Sequence, residues 1–344
     1  MPKVAIVILN WNGKKYLEKF LPILQEKTKG DFEIIIADND SKDESITYLV
    51  NQHPELRIIK LDNNYGFTGG YNRALAQIDA TYYVILNSDI EVTDNWLEPL
   101  IEFLDKNENV GACMPKIKSW NQPEMFEYAG ASGGFIDKYG YPFCRGRILD
   151  NLEKDNNQYQ DIIDIFWATG ACLIIRSKLF HELDGFDDDF FAHMEEIDLC
   201  WRLKNKGSRI VVVPASQVYH VGGGTLPNNN PFKLYLNYRN NLYLLYKNLP
   251  KGKLTSTIIV RIMLDIVSAF LYLLQGKVNF FAAVIKAHKH FFKHRKKLQK
   301  ERKEQLKNGC INTSIHPEVY KKSIILSYFI KGKKDFKSLD FPLH

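Results

Sequence analysis

Cysteine is scarce and unpaired in this chain. Cys113, Cys144, Cys172, Cys200 and Cys310 are the only five in 344 residues, and no two stand as C-x-x-C. An odd count without metal-ligand spacing argues against a disulfide framework and a zinc cluster, and suits thiols kept reduced in a cytosol. Residues 1–13 lack the charged, then apolar, then small-residue build of a signal peptide and read as a first strand. No stretch repeats at a fixed period. Also missing is G-x-G-x-x-G after the first apolar run, which removes the main support for a dinucleotide-dependent oxidoreductase. Charge of one sign does not dominate the body, because the net +6 belongs to a tail. Residues 286–307 hold ten Lys or Arg against Glu301 and Glu304, a segment of +8, so the remainder sums to −2. No nucleic-acid-binding motif accompanies that basic run, so nucleic acid is a poor partner.

What is present is a succession of short apolar runs that stop abruptly at polar residues. Residues 82–86 end in Asn87-Ser88-Asp89, and residues 4–9 in Asn10-Trp11-Asn12-Gly13. Residues 32–37 end in Asp38-Asn39-Asp40, and 56–61 in a turn at Asn63-Asn64-Tyr65-Gly66. Such runs suit strands buried on both faces of a parallel sheet. With a helix-like segment at 16–25, the order is that of a doubly wound α/β domain. Ligands of such sheets lie beyond the carboxyl ends of the strands. Asn87 and Asp89 thus stand where oxygens could hold a hard cation that carries a substrate's phosphates. The plainer reading is a strand followed by a polar turn. Gly66-Phe67-Thr68-Gly69-Gly70-Tyr71-Asn72 reads as a glycine turn opening a helix, whose free N–H groups could meet phosphate oxygens.

Residues 114–164 show no strong periodicity. Lys116, Arg145 and Arg147 lie there, either as phosphate ligands or, as is commoner for such residues, as solvated surface charge. Residues 166–176 read as a glycine-containing turn feeding another buried strand. Glu195-Glu196-Ile197-Asp198 opens a helix that ends near Gly207, with Ile197, Trp201 and Lys204 on one face. Acidic residues there stabilise the helix start, and Asp198 is spaced to pair with Arg202. They also form a second acidic cluster, far in sequence from the first. Residues 210–214 are a further strand, and His220 precedes Gly222-Gly223-Gly224, where a ligand has room.

In this order, and joined by Tyr238-Arg239-Asn240-Asn241, the motifs resemble glycosyltransferase family 2, the inverting transferases of GT-A fold, especially bacterial rhamnosyltransferase-like members. The match runs from Val4 to about Asn248. The resemblance implies a Rossmann-like mixed α/β sheet over residues 1–248, with a donor-binding half to about 113 and an acceptor half to 248. A basic amphipathic helical extension, 249–344, follows. Asp38 would contact the nucleotide base, with Asn10, Asn12 and Asp40 beside it, and Gly69, Gly70 and Asn72 would lie along the ribose and diphosphate. Asn87-Ser88-Asp89 looks like the family's D-x-D, so Asp89 would bind Mg²⁺ or Mn²⁺ and His220 would complete that metal site. Trp167, Thr169, Gly170 and Asp198 would meet the acceptor. Glu195-Glu196 matches a Glu-Asp pair whose second acid is the general base. Two departures stand out: Asn87 replaces the first acid of D-x-D, and Glu196 replaces Asp, which leaves the assignment between Glu195 and Glu196 open.

The chemistry implied is in-line displacement at an anomeric carbon. A carboxylate takes the acceptor's proton while charge on the departing nucleoside diphosphate is neutralised. The expected donor is a nucleotide-diphosphate sugar, thymidine-diphosphate rhamnose first, and the acceptor a cell-surface polysaccharide or polyprenyl-diphosphate-linked glycan. Paired carboxylates would also serve a glycoside hydrolase, but the nucleotide-type turns at Asp38 and Gly69 weigh against it. The rival from another class is a catalytically inactive sugar-nucleotide-binding or membrane-scaffold protein, which Asn87 and Glu196 permit.

The tail carries its own pattern. Residues 258–274 number seventeen and include Arg261 and Asp265, too short and too charged for a spanning helix of about twenty apolar residues. Arg261, Asp265, Ser268 and Tyr272 make one polar stripe on an otherwise apolar helix. Phe280, Phe281, Val284, Ile285, Phe291 and Phe292 form another apolar face among lysines. The expectation is a peripheral helix on an anionic membrane surface at the cytoplasmic face of the cell membrane. An equal alternative is an extension packed on the domain or on a second subunit of an oligomer.

Overall fold

The computed structural model describes residues 2–222, 230–307, 311 and 315–341; Gly223, Gly224 and Cys310, singled out above, lie outside them. The other four cysteines are free and buried. The first part alternates β1 (Val4–Asn10), α1 (Lys14–Lys27), β2 (Phe32–Asp38), α2 (Ser45–Gln52), β3 (Arg57–Lys60), α3 (Gly66–Leu75) and β4 (Tyr82–Leu86). These four strands are parallel, in the order β3-β2-β1-β4. Residues 4–8 are at most 3% exposed, which is why the run is apolar without alternation. The chain returns from β3 to the far side of β1, so strand order reverses between β1 and β4. A crevice opens at such a switch point, beyond the carboxyl ends. Asn10 closes β1 beside Asp38 of β2, and Asn87 follows Leu86 of β4.

Next come β5 (Ile90–Val92), α4 (Glu98–Lys106) and β6 (Val110–Ser119), then five short strands. These are β7 (Gly134–Asp137), β8 (Pro142–Cys144), β9 (Arg147–Ile148), β10 (Asn151–Leu152) and β11 (Ile163–Asp164). The middle hid its strands because each is two to four residues long, too short for a period to register. β12 (Cys172–Arg176), α5 (Ser177–Glu182), α6 (Glu195–Asn205) and β13 (Arg209–His220) complete the main sheet, which has nine strands among the described residues. β12 runs antiparallel to both β4 and β6, so the sheet is mixed. β13 outruns the expected end at Pro214, because an irregular register between Val213 and Gln217 accommodates the proline.

A second sheet, β10-β9-β8-β7-β14 with β14 at Val319–Tyr320, covers residues the sequence suggested were solvated. Lys116 is buried against Asp155 at 3.3 Å, Arg145 is buried against Asp161 at 2.9 Å, and Arg147 is buried as well. Surface charge is therefore the wrong reading for all three. The remaining elements are α7 (Pro231–Asn248), α8 (Leu254–Leu274), α9 (Val278–Lys307), β14 (Val319–Tyr320) and α10 (Ile324–Phe329). β14 pairs in parallel with β7, and the rings of Phe336 and Phe341 each lie 5.2 Å from that of Phe135, one tilted and one edge-on. Contacts thus cross position 248 repeatedly.

α9 lies along α7 and closes its end. Arg302 donates to the carbonyls of Tyr246 (2.9 Å), Lys247 (3.0 Å) and Leu249 (2.5 Å), acceptors that a helix C-terminus leaves unmet. Arg302→Ala would strand these buried oxygens. We expect it to lower the unfolding free energy by ~2 kcal/mol or more, read as a lower urea midpoint at unchanged slope. An unaltered midpoint would show that water caps the helix equally well.

Candidate active site

At the crevice, Asn10 and Asp38 organise the loop that follows β2. Asn10 Nδ2 donates to Asp38 Oδ1 and to Ser41 Oγ, each at 3.1 Å, and Asp38 Oδ2 accepts from the Ser41 amide at 3.0 Å. Asn12 Oδ1 accepts from the amides of Lys42 (2.7 Å) and Asp43 (3.2 Å). Asn12 and Asp40 have φ of 52° and 63°, a region that asparagine and aspartate tolerate better than other side chains. Asn10 and Asp38 are buried, while Trp11, Asn12 and Asp40 form the open rim.

The glycine stretch behaves differently from the expectation. α3 begins at Gly66, so Gly69 and Gly70 lie inside the helix and not in a turn. A Cβ on Gly70 would meet Leu9 at 2.8 Å, and one on Gly69 would meet Tyr65 at 2.9 Å, so both glycines serve close packing. The first helical N–H groups are not free for phosphate either. Those of Phe67 (2.7 Å) and Thr68 (3.3 Å) donate to the carbonyl of Phe191. Asn72 is likewise engaged, donating to Phe186 O at 2.7 Å and Asp188 Oδ1 at 2.8 Å and accepting from the Phe186 amide at 2.9 Å. α3 therefore anchors the loop that leads to the glutamates.

That loop is strained. Phe191, His193 and Met194 have φ of 65°, 68° and 71° in succession with one gap, costly for side-chain-bearing residues. Two residues of α7 hold it. Asn240 Nδ2 donates to the carbonyls of Phe190 (2.9 Å), Ala192 (2.8 Å) and His193 (2.7 Å). Arg239 donates to Asp189 O and Phe190 O, both at 2.9 Å. α6 then starts directly at Glu195, whose neighbour Glu196 is half-buried.

Among the described residues, both carboxyls have a buried oxygen without a hydrogen-bond partner. Burial, and then the charge of Glu196, push the Glu195 pKa well above the usual carboxylate range. Burial raises Glu196 to about 7, against backbone amides at the helix start that favour its ionised form. Asp198 is in the opposite state. It is fully buried, and burial alone would raise its pKa, but Lys247 and Arg202 lower it. Its oxygens accept from Arg202 Nε and Asn248 Nδ2, each at 2.7 Å. With no exposed surface it is a structural ion pair, as the i,i+4 spacing allowed, and not an acceptor contact. Trp167, Thr169 and Gly170 are also buried, with Trp167 Nε1 donating to Phe135 O at 2.9 Å. They form packing beneath the cleft where direct acceptor contacts were expected.

The first acidic cluster lies where β13 runs beside β5. His220 pairs with Ile90 there, which sets its ring next to Asp89: Nε2 is 3.2 Å from Asp89 Oδ1, and Nδ1 is 3.3 Å from Glu127 Oε1. Burial would lower the His220 pKa, but Glu127 and Asp89 raise it to about 10. Burial would raise Asp89, but the His220 hydrogen bond and charge lower it. Glu127 carried no sequence signal, being a lone acid in an aperiodic stretch. It also lies among the groups acting on buried Arg147, whose Nε has no partner.

Among the described residues no group of three or more His, Cys, Asp or Glu forms a metal cage. Asp89 and His220 nonetheless fit a divalent cation as a partial set. One carboxylate oxygen and one imidazole nitrogen suit manganese, with the other positions left for phosphate oxygens. Among the described residues the buried His220 Nδ1 lacks a hydrogen-bond partner, and with a cation on Nε2 it would be left to donate to Glu127 Oε1, 3.3 Å away.

A family model described as glycosyl transferase family 2 matches residues 5–183, more than half of the chain. The chain belongs to glycosyl transferase family 2. Among curated family 2 relatives, it is 26% identical over 235 residues to an N-acetylglucosaminyl-diphospho-decaprenol L-rhamnosyltransferase of Mycobacterium tuberculosis, covering 63% of this chain and 75% of that one. It is 25% identical over 224 residues to the rhamnosyltransferase WbbL of Escherichia coli K12, covering 63% and 83%. Among solved structures, a Pyrobaculum calidifontis mannosyltransferase in complex with GDP-Man and Mn²⁺ shares the fold. Its TM-score is 0.51 at 14% identity, over 85% of this chain and 87% of that one. The mixed sheet is thus the GT-A-like sheet of family 2.

Within this family 2 transferase, Asn240 should matter out of proportion to its distance from the crevice. Asn240→Ala frees three loop carbonyls and lets residues 191–194 relax. We expect turnover of the transfer reaction to fall ~10-fold or more, with donor affinity near that of the parent by calorimetry. Unchanged turnover would show that Arg239 and α3 hold the loop without it.

Proposed function

We propose that this chain is an inverting, metal-assisted glycosyltransferase that moves a sugar from a nucleoside-diphosphate donor to a hydroxyl of a polyprenyl-diphosphate-linked glycan. The reaction runs at the cytoplasmic face of the membrane in this proposal. Thymidine-diphosphate rhamnose is the donor to test first, because two relatives are named rhamnosyltransferases and one of those names specifies a diphospho-decaprenol acceptor. The observation that carries the reading is the pair Glu195 and Glu196, uncompensated and with unpartnered oxygens, set apart from the charge-balanced pair Asp89 and His220.

In this mechanism Glu196 Oε accepts the acceptor's hydroxyl proton as the oxygen attacks the anomeric carbon. A carboxyl whose pKa is near 7 suits that task, since it is ionised when needed and still basic enough to take the proton. Glu195, more deeply buried, stays protonated and donates or accepts a hydrogen bond that orients the acceptor. Asp89 and His220 would hold Mn²⁺ or Mg²⁺. When bound, the cation supplies positive charge against the leaving diphosphate. Asn10, Asp38 and the loop after β2 shape the nucleotide side.

Two experiments test this. Glu196→Gln should lower turnover ~10²-fold or more with donor affinity retained, whereas Glu195→Gln should mainly change the acceptor's KM. The parent's kcat/KM should fall as pH drops through about 7, because protonation removes the base. The same burial makes the folded chain lose stability as pH rises from 4.5 towards 7, so Glu196→Gln should melt higher at pH 8. Normal turnover by Glu196→Gln, beside a dead Glu195→Gln, would move the base to Glu195.

For the metal, calorimetric titration of donor with Mn²⁺ should show no metal-dependent binding to Asp89→Ala and equal or tighter binding to Asn87→Asp, which adds a carboxylate. Parent-like binding by Asp89→Ala would relocate the cation. Failure of any nucleoside-diphosphate sugar to bind the parent would remove the donor class altogether.

A further inference from the structure

α8 is built inside out. The helical stretch Lys251–Leu274 is 24 residues and is long and apolar enough to cross a membrane, longer than the segment first counted, yet only 22% of its most apolar window is buried. The buried side is the polar one. Arg261 Nε donates to Asp265 Oδ1 at 2.8 Å, His288 Nε2 of α9 lies 3.1 Å from Asp265 Oδ2, and the Arg261 guanidinium sits 3.8 Å over Tyr141. Ser268 and Tyr238 of α7 share a hydrogen bond of 2.5 Å. The exposed side carries Met263 (62%), Val267 (57%), Phe270 (56%), Leu271 (52%) and Leu274 (84%).

We propose that this face is a monotopic docking surface for an anionic lipid leaflet. Charge complementarity selects that occupant. Lys251 and Lys253 are exposed at one end of α8, Lys277 at the other, and Lys289, Lys293 and Lys296 along α9. An apolar face with lysines at both ends and alongside is what holds a helix flat in an anionic interface. A second exposed apolar patch lies on α10. α10 exposes Phe329 (67%) and Ile330 just beyond it, with Lys331 following. It is tied to the hairpin that Arg261 also contacts, since the Ile324 amide donates to Asp137 Oδ2 and Arg261 to Tyr139 O.

Spanning is disfavoured by the same contacts. To cross a bilayer α8 would have to leave α7 and α9, carrying Arg261 and Asp265 into hydrocarbon without His288 and Tyr141. The position also has a consequence for catalysis, which rests on the proposed function, whereas vesicle binding does not. Tyr238 touches the buried side of α8, and the next two residues of α7 hold the loop before Glu195, so α7 links the docked helix to the loop that carries the proposed base.

The test is cosedimentation of the full chain with vesicles of phosphatidylglycerol and phosphatidylcholine, against phosphatidylcholine alone. Deleting 249–344 would remove β14 and Arg302, so exposed positions are substituted instead. Val267→Asp with Phe270→Asp should weaken partition at least ~10-fold, while thermal unfolding and hydrolysis of a soluble nucleotide sugar stay unchanged. Should that pair fold poorly, Met263→Ser should still lower partition measurably. Lys289→Glu with Lys293→Glu should weaken it about 5-fold or more per residue, high salt should act in the same direction, and alkaline carbonate should release the bound chain. Parent protein that ignores anionic vesicles, binding indifferent to the apolar substitutions, or carbonate-resistant insertion would each overturn the proposal. So would a stable dimer split by Val267→Asp with Phe270→Asp, since the face would then belong to a second copy.

Discussion

The bonds that Asn240 makes to three carbonyls of one loop, those of Phe190, Ala192 and His193, are the constraint on which the site depends. Three residues with positive φ do not stay in place by local preference. They persist because α7 holds the loop from one side and the start of α3 holds Phe191 from the other. Gly66 belongs to this arrangement, since its φ is +69° and a Cβ there would come within 2.5 Å of the Phe191 ring. The strain is useful because it lets α6 begin at Glu195 with no preceding turn to cover the two carboxyls.

The two acidic clusters are electrostatic opposites. Asp89 is buried beside an imidazole that its environment keeps charged, so the pair is close to neutral and tolerates burial. Glu195 is buried and Glu196 half-buried beside it, each with an oxygen that lacks a hydrogen-bond partner among the described residues, and a protonated carboxyl is easier to bury than a charged one. Asp198, two residues on, shows what the fold does with a carboxylate it needs only for structure. It surrounds it with Arg202, Asn248 and Lys247. Incomplete compensation at 195 and 196 is therefore a local property, and not a failure of the helix to supply partners.

Much of the sheet was legible because buried parallel strands read as unbroken apolar runs, and β1, β2, β3 and β4 each appeared within a residue or two of where they lie. Motif order singled out Glu195, Glu196 and Asp89, which the fold sets in two separate acidic clusters. What escaped depended on long-range pairing. Lys116, Arg145 and Arg147 look like surface charge until β7 to β10 close over them, and those strands are too short to announce themselves. Glu127 is invisible because its partner His220 is 93 positions away. Asn240 stood inside a recognised motif, yet its role follows from a loop fifty residues earlier and could not be read from spacing. Gly69 and Gly70 misled for a related reason: glycine in a helix for close packing and glycine in a phosphate turn look the same in one dimension.

α7 joins these observations to the rest of the molecule. Successive residues on a helix point about 100° apart, so Tyr238 and Asn240 face different neighbours, and the long side chain of Arg239 reaches the same loop as Asn240. Tyr238 reaches Ser268 of α8, while Arg239 and Asn240 reach the strained loop. The polar stripe of α8 satisfies its own charges internally through Arg261, Asp265 and His288, which fixes the rotation of that helix against α7 and α9. A helix free to rotate would bury Met263 and Phe270 and expose Arg261. Arg261 and Asp265 would turn outward together, but His288 of α9 would lose Asp265 and Tyr141 would lose the guanidinium above it, so these contacts oppose the rotation. The orientation of α8 is thus set by buried charge, and its apolar face is exposed as a consequence.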